Sequence, residues 1–229
     1  MTPTVWKSMP DSEKPMKPDK LTQFFNRFYL LIFALVFLVF VGLSFLAPVL
    51  MHWNMQTPAK LIYSFFFLFC HQLPYRSFFL FGSQAYYPLA EAGINGMLSF
   101  EEAVHTYQMR FTEAKAFVGN AEMGYKTALC QRDIAIYLAI ALFCILFMLT
   151  NYRLPRLHWS LWIILGLIPM ALDGFSQLFS SLFPALFTSR ESTPALRVLT
   201  GGMFGFMTAW FLFPWLHQKI KESSDDANY

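Results

Sequence analysis

Four stretches of this chain are apolar and long enough to enter a bilayer, and that property constrains the fold more than any other. Residues 28–50 form an uncharged run of 23 residues, sufficient to cross about 30 Å of hydrocarbon with some tilt. Residues 134–150 make a second run near the minimum length. The third, 159–183, contains Pro169 and Asp173, and the fourth, 198–216, carries Trp210 and Trp215 near its far end. The composition agrees: 14% of residues are charged, against roughly 25% in soluble domains. The 27 phenylalanines, six tryptophans and ten tyrosines suit lipid contact and interfacial belts better than a water-soluble core.

Residues 61–81 are also apolar, but Cys70-His71-Gln72-Leu73-Pro74 and Arg76 interrupt them. The part before the break is too short to span, and Pro74 disrupts a helix continuing through it. The reading is a short helix dipping toward the membrane, then a turn or hairpin over 76–82; a complete fifth span is the competing assignment. Charge placement decides for four. With four spans, residues 1–27, 151–158 and 219–229 share one side and hold nine Lys/Arg. The other side holds eight over a longer stretch, with more acidic residues. The positive-inside tendency puts both termini in the cytoplasm of a multi-pass plasma-membrane protein.

The expected architecture is therefore an all-α integral membrane fold. Four transmembrane helices are joined by a short membrane-dipping helix and an extracytoplasmic helical insertion. Residues 1–27, polar and holding four prolines, read as a disordered cytoplasmic tail. Residues 28–218 make the membrane domain, with the insertion at about 83–129, and 219–229 form a second cytoplasmic tail. Within the insertion, Ser99 followed by Glu101 and Glu102 signals a helix start, and Gly119-Asn120 a stop, predicting a helix over 99–118. Packing on its own domain is the plain role for that helix; docking another membrane protein is the sharper one. The bilayer is the obligatory partner. A net charge of +3, scattered along the chain, gives no support to a nucleic-acid partner.

Polar strings within or beside apolar runs carry the functional signal. An Asp or Arg at the centre of a span costs roughly 2.5–3.5 kcal/mol on insertion scales, so such groups have partners and often a task. The topology brings several to one level: Cys70, His71, Gln72 and Arg76 after the short helix, Cys130, Arg132 and Asp133 at the start of the second span, Asp173 and Gln177 late in the third, and Arg197 and Thr200 opening the fourth. Cys130, Asp133 and Tyr137 fall at i, i+3 and i+7, and Asp173 and Gln177 at i and i+4, so each set shares a helix face. Gly201-x-x-x-Gly205 permits close helix approach, most simply within the chain.

Each feature has a bland reading beside the functional one. Asp173 with Arg197 or Arg132 makes an internal ion pair as readily as a catalytic group. Arg197 can snorkel to the interface, and His71 beside a proline turn can simply satisfy hydrogen bonds. Cys144, inside the second span, reads as a small core residue. Three cysteines are too few for a disulfide scaffold but allow one bridge, Cys70–Cys130, on an oxidising face. Alternatively Cys70, Cys130 and Asp133, with His71, supply thiolate, carboxylate and imidazole ligands for zinc. Adjacent ligands at 70 and 71 diverge, so one of them would support the site rather than bind the ion.

The strings Cys70-His71-Gln72-Leu73-Pro74-Tyr75-Arg76-Ser77-Phe78, Cys130-Gln131-Arg132-Asp133, Asp173-Gly174 with Gln177, and Arg197-Val198-Leu199-Thr200-Gly201 resemble those of an uncharacterised family of small polytopic bacterial and archaeal membrane proteins. The resemblance covers about residues 60–205 and implies architecture and positions, not a reaction. Two departures stand out. Members typically have a short hairpin before the second cysteine string, where this chain has roughly 40 residues, and many read C-x-x-C where this one has Cys130-Gln-Arg-Asp133. An Asp keeps ligand capacity but removes a dithiol, which favours metal coordination over thiol redox chemistry.

Three classes of function compete. The first is a zinc site at the outer face acting on a lipid-like or anionic substrate, with Asp173 or His71 moving protons and Arg132 and Arg197 binding the anion. The second is a non-enzymatic scaffold or assembly factor held by a Cys70–Cys130 disulfide. The third, a thiol-redox membrane protein, is weakened by the single cysteine pair. A transporter lacks the duplicated halves that class shows.

Overall fold

A computed structural model describes residues 20–106, 109–183, 186 and 190–226. Helix α1 (Lys20–His52) is followed by α2 (Gln56–Phe66), a 3₁₀ turn Pro74–Arg76 and strand β1 (Ser77–Leu80). The insertion holds α3 (Phe100–Ala103), α4 (Phe111–Ala116) and β2 (Gly119–Asn120). Strand β3 (Gly124–Cys130) then runs straight into α5 (Gln131–Leu149). The third span is composite: α6 (Trp159–Leu161), a π-helical stretch Trp162–Leu167 and α7 (Ile168–Leu182), and α8 (Pro194–Asp226) closes the bundle.

Four of these segments are long and apolar enough to cross a membrane: Phe24–His52, Gln131–Leu149, Trp159–Ser180 and Pro194–Ser223. The molecule is a helical membrane protein with a minor sheet, and among the described residues the competing fifth span is absent. Large apolar side chains such as Leu35, Val39, Leu142, Leu172 and Phe175 stay exposed along the spans. A water-soluble surface does not carry contiguous apolar area of that extent, whereas hydrocarbon accepts it. Between α7 and the segment before it, Pro169 cannot donate a backbone hydrogen bond, and the widened π turn precedes it there.

Packing follows side-chain size. The most extensive helix pair is α5 with α8, and α1 lies against α5, α2 and β3. Close approach of α5 and α8 rests on the two glycines of the small-residue pair. A Cβ on Gly201 would sit 2.7 Å from the Arg132 carbonyl oxygen, and one on Gly205 would collide with the Ile136 backbone. The motif therefore serves packing within the chain. Farther along, Phe143, Cys144 and Phe147 of α5 bury against Tyr29, Leu30 and Ala34 of α1 and Ala209 and Phe213 of α8.

Several expectations need correction. The chain is helical from Lys20, so only residues 1–19 of the expected 1–27 tail remain, and these lie outside the described residues. Helix α8 likewise continues to Asp226 through most of the expected 219–229 tail, and 227–229 lie outside the described residues. The helix expected over 99–118 is two short ones. Ser99 does form a capping box with Glu102, but His105 adopts a left-handed backbone (φ 52°) that ends the first helix, and Arg110 with Glu113 starts the second. Residues 107–108 of that segment lie outside the described residues.

The sheet was not expected. Its order is β1-β3-β2, all antiparallel, with Ser77 opposite Cys130, Phe79 opposite Lys126 and Asn120 opposite Gly124. Gly124 (φ 76°) is required at its tight corner, since a Cβ there would meet the Gly82 nitrogen at 2.6 Å. The consequence is positional: β1 and β3 tie the end of the short α2 segment to the start of α5.

Candidate functional site

Two local devices bring the cysteines together. Where β3 becomes α5, Cys130 is the N-cap: its backbone is extended (φ −75°, ψ 162°) and its Sγ accepts from the Asp133 amide at 3.5 Å. A thiol in the place usually taken by a hydroxyl or carboxylate points toward Asp133 by construction. Cys70 is delivered from the other side. Its amide donates to Phe66 O at the end of α2, and the following Gln72 takes a left-handed backbone (φ 54°) rare for a residue with a side chain. Gln72 is locked there because its Nε2 donates to Tyr63 O at 2.7 Å while its own carbonyl accepts from Lys126 Nζ at 2.5 Å.

Lys126 is fully buried and donates also to Lys115 O at 3.0 Å, so a single ammonium holds the turn, the insertion and β3. Burial pushes it down to about 7, with the Cys70 thiol opposing and Lys115 reinforcing that shift.

The result is one group: Cys70 Sγ, Cys130 Sγ and an Asp133 carboxylate oxygen all lie within 4.8 Å of one another. In this structure Cys70, Cys130 and Cys144 are free thiols. A hydrogen bond with Cys70, then burial, then the Asp133 charge raise the Cys130 thiol well above its ordinary value. His71 is exposed and stands outside the group, although it lines the same cavity.

That cavity, about 250 Å³, is lined by Cys70, His71, Gln72, Arg76, Cys130, Arg132, Asp133, Gln177 and Arg197, with Phe69, Leu73 and Met170. Residues from the α2–β1 connection, α5, α7 and α8 thus share one space. Not every candidate reaches it. Tyr137 packs between Phe37 and Phe40, and the Thr200 hydroxyl bonds back to Leu196 O at 2.8 Å. Asp173 is buried behind the cavity, where Arg132 pairs with one of its oxygens and Ser192 donates to the same oxygen at 2.8 Å. Arg190 approaches its other oxygen at 3.6 Å. Gln177 donates to Asp173 O at 3.0 Å, one turn away.

Arg197 does not pair with Asp173. It meets Glu191, and donates to Tyr75 O at 3.1 Å and Gln131 Oε1 at 3.2 Å. Glu191 is held on its other side by Arg76, with bonds of 2.8 and 2.9 Å from Nε and Nη2. Both buried carboxylates are therefore clamped between two arginines. Glu191, Ser192, Arg190 and Lys126 were not foreseen as part of this network. The hint in the sequence was a charged string, Arg190-Glu191, a few residues ahead of the fourth span.

Fold and site together define a polytopic helical membrane protein with a buried polar cluster at one end of its bundle. Residues 121–211 match the model of a predicted membrane protein family (DUF2085), a stretch that includes Cys130, Asp133, Asp173 and Arg197 but not Cys70. The chain is similar to the uncharacterised protein MJ1492 of Methanocaldococcus jannaschii, 27% identical over 203 residues, covering 84% of this chain and 95% of that protein. Both matches support an uncharacterised membrane protein family, the resemblance carried by the polar strings. No solved structure matches the chain.

Proposed function

We propose that this is a membrane metalloprotein in which Cys70, Cys130 and Asp133 hold a zinc-class ion beside a cavity for an anionic, lipid-like ligand. The observation that carries this reading is the three ligand atoms within 4.8 Å of one another at the wall of a cavity that also holds Arg76, Arg132 and Arg197. Thiolate and carboxylate suit zinc, and three protein ligands leave a fourth position open, as in sites that bind water or substrate. A bound ion supplies Lewis acidity toward an anion's oxygen. Arg132, anchored by Asp173, and Arg197, anchored by Glu191, hold guanidinium groups at fixed positions along that wall. Such groups bind carboxylate or phosphate with defined geometry. Following the positive-inside tendency, the cavity faces the outer side of the membrane and both termini the cytoplasm.

The test is metal content. Full-length protein purified in detergent without added metal should carry about one zinc per chain. Cys130→Ala and Asp133→Asn should lose it while keeping a monodisperse folded state. Folded wild-type protein that is metal-free and stays so when zinc is supplied would end the reading. Labelling of Cys70 and Cys130 that rises only after a reductant, with no effect of a chelator, would favour the disulfide scaffold instead.

A further inference from the structure

The polar cavity does not end at its own walls. A second cavity, about 330 Å³, adjoins it, and Arg132 and Met170 line both. The second one is apolar apart from Arg132, walled by Leu167, Ala171, Phe175 and Leu178 of the third span and Phe204 of the fourth. Leu167, Phe175 and Leu178 are exposed along that flank, which lies within the segments that hydrocarbon would cover. The groove reaches the guanidinium beside Gly174, where even an added Cβ would meet only Arg132 Nη1, at an ordinary contact distance of 3.7 Å. Together the two spaces reach the size of small-molecule sites, roughly 300–1,000 Å³.

Charge separates the two compartments sharply. Around the polar one, Arg76, Arg132, Arg190 and Arg197 are set against Asp133, Asp173 and Glu191, an excess of positive charge. Arg132, the charged residue common to both compartments, gives an amino group to Asp173, and its Nε has no hydrogen-bond partner among the described residues. A cation at the boundary between a polar chamber and an apolar groove is complementary to an amphiphile whose anionic head is joined to a hydrocarbon chain.

We propose that the two cavities form one bipartite site for a membrane lipid with an anionic phosphate head, the head held in the polar cavity at Arg132 and the chain lying in the groove between the third and fourth spans. This rests on the reading of the polar cavity as a ligand site, and it adds the lipid as the ligand's source and the route by which it enters. The lipid reaches the site sideways from the bilayer, so its chain never has to cross water.

The test uses full-length protein in a neutral detergent, titrated with dioleoyl phosphatidic acid, dioleoyl phosphatidylcholine or inorganic phosphate, with bound molecules counted by native mass spectrometry. Phosphatidic acid should be retained at one per chain and about tenfold more tightly than phosphatidylcholine or inorganic phosphate. Ala171→Trp and Leu178→Trp, which fill the groove at two levels of the third span, should each weaken phosphatidic acid by about tenfold, with phosphate binding, metal content and melting temperature unchanged. If one of them fails to fold, the other decides. Equal retention of the two lipids, phosphate binding as tightly as phosphatidic acid, or full lipid retention in the folded tryptophan variants would each overturn the proposal. Metal content measured on the same samples keeps the two readings apart. Metal-free protein that still binds lipid through the groove removes the zinc alone, and zinc-loaded protein indifferent to lipid removes the groove alone.

Discussion

The two ends of α5 lie in opposite environments. At its start, Gln131, Arg132 and Asp133 face a chamber of charges drawn from four other parts of the chain. Three turns later, Phe143, Cys144 and Phe147 are fully buried among aromatic and aliphatic side chains, with Phe143 against Phe206, Trp210 and Phe147. The apolar end is held by many small, interchangeable contacts, each forgiving of modest change in shape. The polar end is held by few contacts, each of which strands a charge if its partner is removed. What stability alone requires is met at the apolar end. Keeping side chains such as Asp173, Glu191 and Arg197 buried in a membrane protein is expensive, so the polar end is where function is to be sought.

The contrast can be broken by substitution. Asp173→Asn removes the carboxylate shared by Arg132 and Arg190, and should destabilise the protein by about 3 kcal/mol, the lower part of the range for breaking a buried pair because Arg132 keeps some exposure. Combining Asp173→Leu with Arg132→Met should return most of that loss, since no buried charge is then left alone and Arg190 is exposed enough to be hydrated. Phe143→Leu at the other end should cost only about 1 kcal/mol, a change in shape within a core that can readjust. Denaturant or thermal unfolding in detergent measures all three. Equal losses for Asp173→Asn and Phe143→Leu would show that the polar end carries no special strain.

A separate effect expected is a pH dependence at Lys126. Its ordinary value is 10.5, and burial in the fold pushes it down to about 7. Below pH 7 both states hold the proton and the folded state bears the full penalty of burying it. Between pH 7 and 10.5 the folded state releases the proton first, so the lysine's contribution to stability rises with pH through that window and is complete above it. The melting temperature of wild type should therefore gain on that of Lys126→Met between pH 6 and 9. Parallel curves would mean that the two carbonyl partners keep the ammonium charged throughout.

Much of this was legible in the residues because the signals are local. Each span is a continuous apolar run, and hydropathy needs no knowledge of neighbours. The break at Cys70–Pro74, the Ser99–Glu102 cap and the Gly201/Gly205 pair were legible for the same reason: each acts on its own helix turn or face. The sheet was not, since β2 has two residues and β3, buried on both faces, shows no period-two alternation. Lys126 made it harder, a charged residue in the middle of β3 that the fold buries opposite Phe79. The 99–118 helix failed because a sound start says nothing of length, and the left-handed residue that ends the first helix, His105, is not the glycine or asparagine that marks a stop. Glu191 escaped because its partner Arg76 is 115 residues away.

By itself the amino-acid order determined that this chain lives in a membrane, where its four spans lie and which few polar residues have no ordinary place there. Those are consequences of solvation, and solvation acts on each segment separately. Only the tertiary structure decided which thiol meets which carboxylate, which arginine clamps Asp173 and which Glu191, and that the polar chamber continues into an apolar groove at Arg132. Those depend on distances between segments far apart along the chain, set by a strand joined directly to a helix and by two glycines that let α8 close on α5.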